Sequence, residues 1–349
     1  MVRGQPSEGD QVNTTVRWRL VILLLIFAGA LVWAARRPGE NVRAETPKRQ
    51  VAITVDDLPG AIPATPTANG KLHELERYNE AIPAILKAHQ APAIGFVNEI
   101  RLHVIGERDA RTALLKRWID AGFELGNHTY SHANFNRVSL QEMEDETIRG
   151  EVITRTLMTA AGKSERYFRY PYLFTGPTVE LKEAFEAFLK SRGYKNAPVT
   201  VDNADYMFND ILHEAEAKKD SKLAEQTKRE YVQFAQREFD YFEEASRKLF
   251  GREIPQVFLM HDNEINTEKL DELLGLLEKR GYQFVTLDEA LADPAYVTRD
   301  RFVGTAGISW IDRWRVSFGQ KADYEHDPDP PEWVMKRFQE IRNAAAPNQ

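Results

Sequence analysis

From residue 51 onward the chain alternates short apolar, β-rich runs with longer stretches of helical pattern. A parallel sheet needs that alternation, because each strand must be followed by a crossover before the next can pair. Seven runs carry it: 51–55 (VAITV), 93–97 (AIGFV), 123–126 (FELG), 166–170 (RYFRY), 198–201 (PVTV), 256–260 (QVFLM) and 283–287 (QFVTL). Helical patterns fill 71–89, 107–121, 139–162, 177–192, 209–250 and 267–280. The expected fold is α/β, a TIM-like barrel that seven runs make a deformed (β/α)7, with an open doubly wound sheet as the alternative. The stretch 209–250 is longer than one crossover needs and predicts an inserted helical hairpin. The tail from 293 to 349 carries Trp310, Trp314, Phe318 and Trp333, so it is expected to be an extension packed along the barrel.

Polar residues interrupt the apolar runs at one kind of place. Asp56 and Asp57 follow the first run, His128 the third, Arg169 to Tyr172 the fourth, Asp202 and Asp205 the fifth, and His261 the sixth. These are C-terminal strand ends, where barrels and open α/β sheets both place their active sites. Two adjacent carboxylates at the end of a buried strand repel where desolvation is expensive, so they need a cation. In Asn127-His128-Thr129-Tyr130-Ser131-His132 two imidazoles stand at i and i+4, and a coiled backbone can aim both at one metal ion. One carboxylate and two histidines make a metal site with open positions, which leaves the other carboxylate to handle a proton. Cysteine is absent, so thiolate ligands, thiol nucleophiles and disulfides are excluded. Arg169 offers a fixed fork that holds a carboxylate in one orientation, and His261 titrates near neutral pH and can protonate a leaving group. Taken singly, each has a structural reading: a turn aspartate, a capping histidine, an ion-pair arginine. Their collection on one face favours the chemical one. His73, His89, His103, His213 and His326 lack such context and are expected on the surface.

Residues 20–35 are uninterruptedly apolar and follow Arg17 and Arg19, the layout of a signal peptide or an uncleaved signal anchor. The expectation is export, with a short cytoplasmic or n-region at 1–19, a linker at 36–47 and a periplasmic or extracytoplasmic body, anchored to the inner membrane if 20–35 is retained. The first 50 residues hold eight Lys/Arg against four acids, so a chain of net charge −7 carries −11 over 51–349. That acidity argues against nucleic acid as a partner, since non-specific binding relies on clustered positive charge.

Five ordered segments carry a resemblance: Thr54-Val55-Asp56-Asp57, His128-Thr129-Tyr130-Ser131-His132, Arg169-Tyr170-Pro171-Tyr172, Asp202-Asn203-Ala204-Asp205-Tyr206 and Leu259-Met260-His261. Together they resemble the motifs of the NodB-homology polysaccharide deacetylases, carbohydrate esterase family 4, over roughly residues 48–292. The resemblance implies Asp57, His128 and His132 as ligands of one divalent metal, usually zinc, with cobalt, manganese or nickel as substitutes. It implies Asp56 as general base, oriented by Arg169, and the backbone N–H of Tyr172 as an oxyanion donor. His261 becomes the general acid, tuned by Asp205, and Leu259 lines the acetyl pocket. The implied substrate is an N-acetylated glycan. A deacylase or deformylase of a lipid-linked amino sugar is the variant within the class, and a catalytically silent glycan-binding protein is the rival outside it. The chain departs from the pattern at Val55, where Phe is usual, at Leu58, where Gly commonly follows the aspartates, and at Tyr206, where Trp is usual. These changes bear on substrate fit and remove no ligand or proton carrier.

Overall fold

In the computed structural model of the chain, residues 49–61, 70–323 and 326–345 are described. The segments 1–19, 20–35 and 36–47 named above lie outside them. Seven strands form one sheet: β1 (Arg49–Leu58), β2 (Ala93–Val97), β3 (Glu124–Asn127), β4 (Tyr167–Phe168), β5 (Lys195–Asn196), β6 (Gln256–His261) and β7 (Tyr282–Phe284). The order is β5-β4-β3-β2-β1-β6, with β7 also on β1, and every pair is parallel. One edge of β1 serves two neighbours in succession, β7 along Arg49–Val51 and β6 along Val51–Asp56. After β5 the chain swings across to β6, where Val201 bridges Phe258 and the Leu259 N–H donates to the Val201 carbonyl at 2.9 Å. That bridge joins the two ends of the curled sheet, so the fold is the expected deformed barrel. In a doubly wound sheet the strand order reverses midway, whereas here it runs in one direction from β1 to β5.

Val51 to Leu58 are all buried, because one face of β1 looks into the barrel and the other meets helices. The main core joins Val51, Ile53 and Val55 to Leu86, Trp118, Leu125, Phe258 and Leu274. The helices that cover the barrel include Leu72–Ala88, Arg108–Asp120, Val179–Ser191 and Glu264–Lys279.

Several expected boundaries shift for local reasons. The run 198–201 forms no strand beyond the Val201 bridge, and the strand in that region is β5, at 195–196. The run 283–287 ends at Phe284, because Thr286 caps the helix Leu287–Leu291 by accepting from the Glu289 N–H. The helical stretch 139–162 divides into Leu140–Arg149 and Val152–Ala160. Gly150 sits at the break, and a Cβ there would lie 2.7 Å from the carbonyl carbon of Thr129. The stretch 209–250 is two helices, Asp205–Ala217 and Ser221–Phe250, packed through Phe208, Ile211 and Leu212 against Tyr231, Phe234 and Ala235. In the C-terminal region the helix Trp310–Ser317 buries Trp310, Ile311 and Trp314 in the main core. The last helix, Glu332–Ala345, adds Val334 and Ile341 to the hairpin's core. Among the described residues no helix is long and apolar enough to cross a membrane.

Candidate active site

In a regular strand adjacent side chains point to opposite faces, so Asp56 and Asp57 should part. They do not, because Asp57 adopts φ +72° and the β1–β2 register shifts between Val55 and Leu58. This bulge turns both carboxylates toward the mouth of the barrel. The same left-handed backbone recurs at Thr129, His132, Tyr172, Leu173 and Ala204. Non-glycine residues held there are strained, and such strain persists where the surrounding structure fixes a site.

The His128 loop closes on Asp57. Asp57 Oδ1 lies 3.6 Å from His132 Nε2 and 3.8 Å from His128 Nε2, while Asp56 Oδ2 is 3.7 Å from His128 Nε2. Asp57, His128 and His132 each bring a ligand atom within 4.8 Å of the others. A tetrahedral zinc site has ligand–ligand edges of roughly 3.3 Å, so modest contraction around a cation suffices. Asp57 Oδ1 is buried and accepts no hydrogen bond, as expected of an atom whose partner is a cation. The His128 Nδ1 pairs at 2.8 Å with the Arg169 carbonyl, which fixes the proton there and leaves the Nε2 lone pair facing Asp57. The donor set therefore fits one divalent metal.

Electrostatics separates the two aspartates. Burial lifts the Asp56 carboxyl to about 6, against the opposing pull of Arg169 and His261. Burial also pushes Asp57 up, but Arg101 together with His132, His261 and His128 outweighs it and holds that carboxyl well below the usual range. Burial keeps His128 far below its ordinary value and brings His132 down to about 4, so both rings are neutral, as ligands must be. Arg169 is fully buried and reaches Asp56 Oδ2 at 3.4 Å and Thr54 Oγ1 at 2.9 Å. Across the mouth His261 Nδ1 meets Asp205 Oδ1 at 2.6 Å, and the His261 N–H donates to Asp205 Oδ2 at 2.7 Å. Burial works to lower the His261 value, yet Asp205, with Asp57 and Asp56, raises it to about 10. Asp205 is itself steadied by Asn263 and Asn266, whose side-chain amides donate to its Oδ2.

Asp56, Asp57, His128, His132, Tyr172, Leu259 and His261 all line one cleft of about 580 Å³. Arg169 and Asp205 stand behind its wall. Sequence reasoning missed four further parts. Arg101, 7% exposed, meets Asp57 Oδ2 at 3.2 Å and the Asp57 carbonyl at 2.7 Å; nothing local marks it, since it lies 44 residues away. Gly307, Phe338 and Arg342 reach the cleft from the C-terminal extension, whose aromatic content was the only hint. Tyr206 faces His261 at 6.2 Å between ring centroids and Phe338 at 5.5 Å. Of the histidines expected on the surface, His89 and His213 are half-buried. His213 faces inward from the hairpin toward the Tyr78 hydroxyl at 3.4 Å, and His89 sits between Glu278 and Asp271.

Residues 43–189 match the sequence profile of the family described as polysaccharide deacetylase. A peptidoglycan-N-acetylglucosamine deacetylase from Bacillus cereus is 31% identical over 126 residues, which are 36% of this chain and 37% of that protein. The chain thus aligns with little more than a third of that relative's length. Among solved structures, a polysaccharide deacetylase from Bacillus cereus is 20% identical at TM-score 0.46, covering 68% of this chain and 92% of its own. A pseudoenzyme of carbohydrate esterase family 4 from Bacillus anthracis is 20% identical at TM-score 0.45, covering 70% of this chain and 66% of its own. The profile takes in the first three motifs, and the fold brings the last two, at Asp205 and His261, to the same cleft. Over the stretch 43–189 the chain is similar to the polysaccharide deacetylases, and that stretch holds the first three of the five ordered motifs.

Proposed function

We propose that the protein is a metal-dependent hydrolase that removes the N-acetyl group from an amino-sugar glycan. The observation that carries this reading is the meeting of Asp57, His128 and His132 around one buried, unpaired carboxylate oxygen, with Asp56 and His261 beside them. A divalent cation held by those three residues, zinc by its N/O donor set, would supply Lewis acidity and ease deprotonation of water. Asp56 takes the proton of the attacking water, and its carboxyl at about 6 suits a base working near neutral pH. The water oxygen bonds to the acyl carbon, and negative charge grows on the acetyl oxygen, where the Tyr172 N–H is the donor. The C–N bond then breaks as His261, protonated through Asp205, passes a proton to the leaving amine. The products are acetate and a free amino sugar. Leu259 and Tyr206 border the space left for the acyl group and the sugar.

The chain retains all three ligands, the base and the acid, which favours an enzyme over a silent glycan binder. We place its work outside the cytoplasm, because residues 20–35 have the pattern of an export or anchor segment. The test is acetate release from chitin oligomers and peptidoglycan by the metal-loaded protein. Glycan binding with neither bound metal nor turnover sinks the reading.

A further inference from the structure

The C-terminal extension does more than cover the barrel. Between Asp300 and Arg313 it crosses the loop that carries Tyr172, and the two are held together at several points. The Arg313 side chain, wholly buried, donates through Nη2 to the Leu173 carbonyl and through Nη1 to Thr175 Oγ1 at 2.9 Å. Its Nε donates to the Ile308 carbonyl at 3.2 Å, its Nη1 also meets Asp300 Oδ2 at 3.2 Å, and its guanidinium lies 4.5 Å over the Trp310 ring. One planar fork thus ties the Tyr172 loop to both ends of the strap. The strap is itself pinned to the barrel. The Trp310 N–H donates to the Val199 carbonyl and Ser309 Oγ to the Thr200 carbonyl, each at 2.8 Å. Lys182 pairs with Asp300 Oδ2 at 2.7 Å and donates to the Phe302 carbonyl at 3.0 Å.

The loop needs holding. Tyr172 and Leu173 both sit at φ +57°, a conformation that costs on the order of 1–3 kcal/mol for each such residue unless the surroundings impose it. The two turn bonds of the loop are donated by the Leu173 and Phe174 amides, at 3.1 Å each. The strap approaches most closely at Gly307, where an added Cβ would fall 1.9 Å from the Tyr172 carbonyl oxygen. Backbone packs directly on backbone there, and any side chain would displace the Tyr172 peptide.

We propose that Arg313 is a positioning residue, which fixes the Tyr172 amide at the cleft by clamping the carbonyl of the next residue, and that Gly307 allows the strap to seat against it. This rests on the reading of Tyr172 as oxyanion donor. It assigns the Asp300–Arg313 strap to the catalytic machinery although it lies beyond every motif of that reading.

The experiment compares the full-length, metal-loaded parent with Arg313→Lys, Arg313→Ala and Gly307→Ala. A misaimed oxyanion donor weakens the transition state and leaves ground-state binding alone. Expected is a fall in kcat of about tenfold to a hundredfold for Arg313→Ala and Gly307→Ala, with KM within about twofold and metal content unchanged. Arg313→Lys should recover part of the loss. Amide hydrogen exchange over 170–175 should quicken in the two alanine variants while exchange in β1 stays as in the parent. Folded Gly307→Ala and Arg313→Lys proteins with parental kcat and parental exchange overturn the proposal. So does a loss in which metal content and exchange across the whole barrel change together, since that marks general destabilisation. If the parent releases no acetate, the deacetylase reading fails, while exchange at 170–175 still decides whether Arg313 holds the loop.

Discussion

Asp56 and His261 are register partners at the ends of the adjacent parallel strands β1 and β6. In-register neighbours project to the same face about 4.8 Å apart, so the proposed proton acceptor and proton donor are spaced by the sheet itself. Asp56→Asn should therefore lower kcat by about a hundredfold to ten-thousandfold, the range for a lost general base. Metal content should stay near that of the parent, because Asp57, His128 and His132 are untouched. Acetate assays and metal analysis of the same preparation check both halves. Substantial turnover by the variant would count against Asp56 as base.

Metal binding should be visible as stability. A ligand present at 100 times its Kd stabilises the native state by about 2.7 kcal/mol. For a domain of this size that is a rise in Tm of roughly 5–10 °C. Titration of zinc into chelator-stripped protein, followed by calorimetry, should show such a rise for the parent and none for His132→Ala. Equal rises for both would remove His132 from the ligand set.

In the proposed reaction the Asp205–His261 pair sets the alkaline limit. His261, raised to about 10 chiefly by Asp205 against the effect of burial, keeps its proton through neutral and mildly alkaline pH. Activity that depends on the protonated ring is present below that value and is lost as pH rises through it. Asp205→Asn removes the charge and keeps the shape, so the loss should move to lower pH. For every pH step of one by which the alkaline limb moves, about tenfold less of the ring stays protonated above it. Profiles of kcat against pH for the two proteins are the check, and coincident alkaline limbs would refute the role.

Glu165 sits far from the cleft and yields a prediction about stability alone. Its Oε2 accepts from Tyr194 at 2.8 Å, its Oε1 is buried with no partner, and burial raises the carboxyl to about 8 from 4.5. The folded state holds this proton more tightly than the unfolded chain. Its contribution is thus fully present below about 4.5 and is lost as pH climbs through about 8. Glu165→Gln should gain stability relative to the parent across that window, on the order of 1–3 kcal/mol at its upper end. Urea midpoints at several pH values would show the two curves diverging; parallel curves would contradict it.

The sequence revealed whatever was local and periodic. The run 93–97 coincides with β2, and of the polar residues at strand ends Asp56, Asp57, His128, Asp202 and His261 line the cleft. It did not reveal conformations set by distant partners. Asp57 at φ +72° looks from its sequence like any strand residue, and only Arg101 and the shifted β1–β2 register turn it inward. Nothing in the local sequence marks Arg313, because the fold lays Leu173 against it from 140 residues away. The expected strand at 198–201 fails because Pro198 and its neighbours are used to cross from β5 toward β6, leaving one bridge where a ladder was expected.

One hydrogen bond described above has a wider reach. The main chain of Arg169 steadies the ring of His128, while the side chain of the same residue aims Asp56. The proposed cation capture and water activation therefore share a single hinge point in the polypeptide. Damage to either function through position 169 should spill into the other, and substitutions at 128 and 169 should combine non-additively, by roughly 0.5–3 kcal/mol in a double-mutant cycle, the range for residues in contact. Evolution of one half of this centre is thereby tethered to the other.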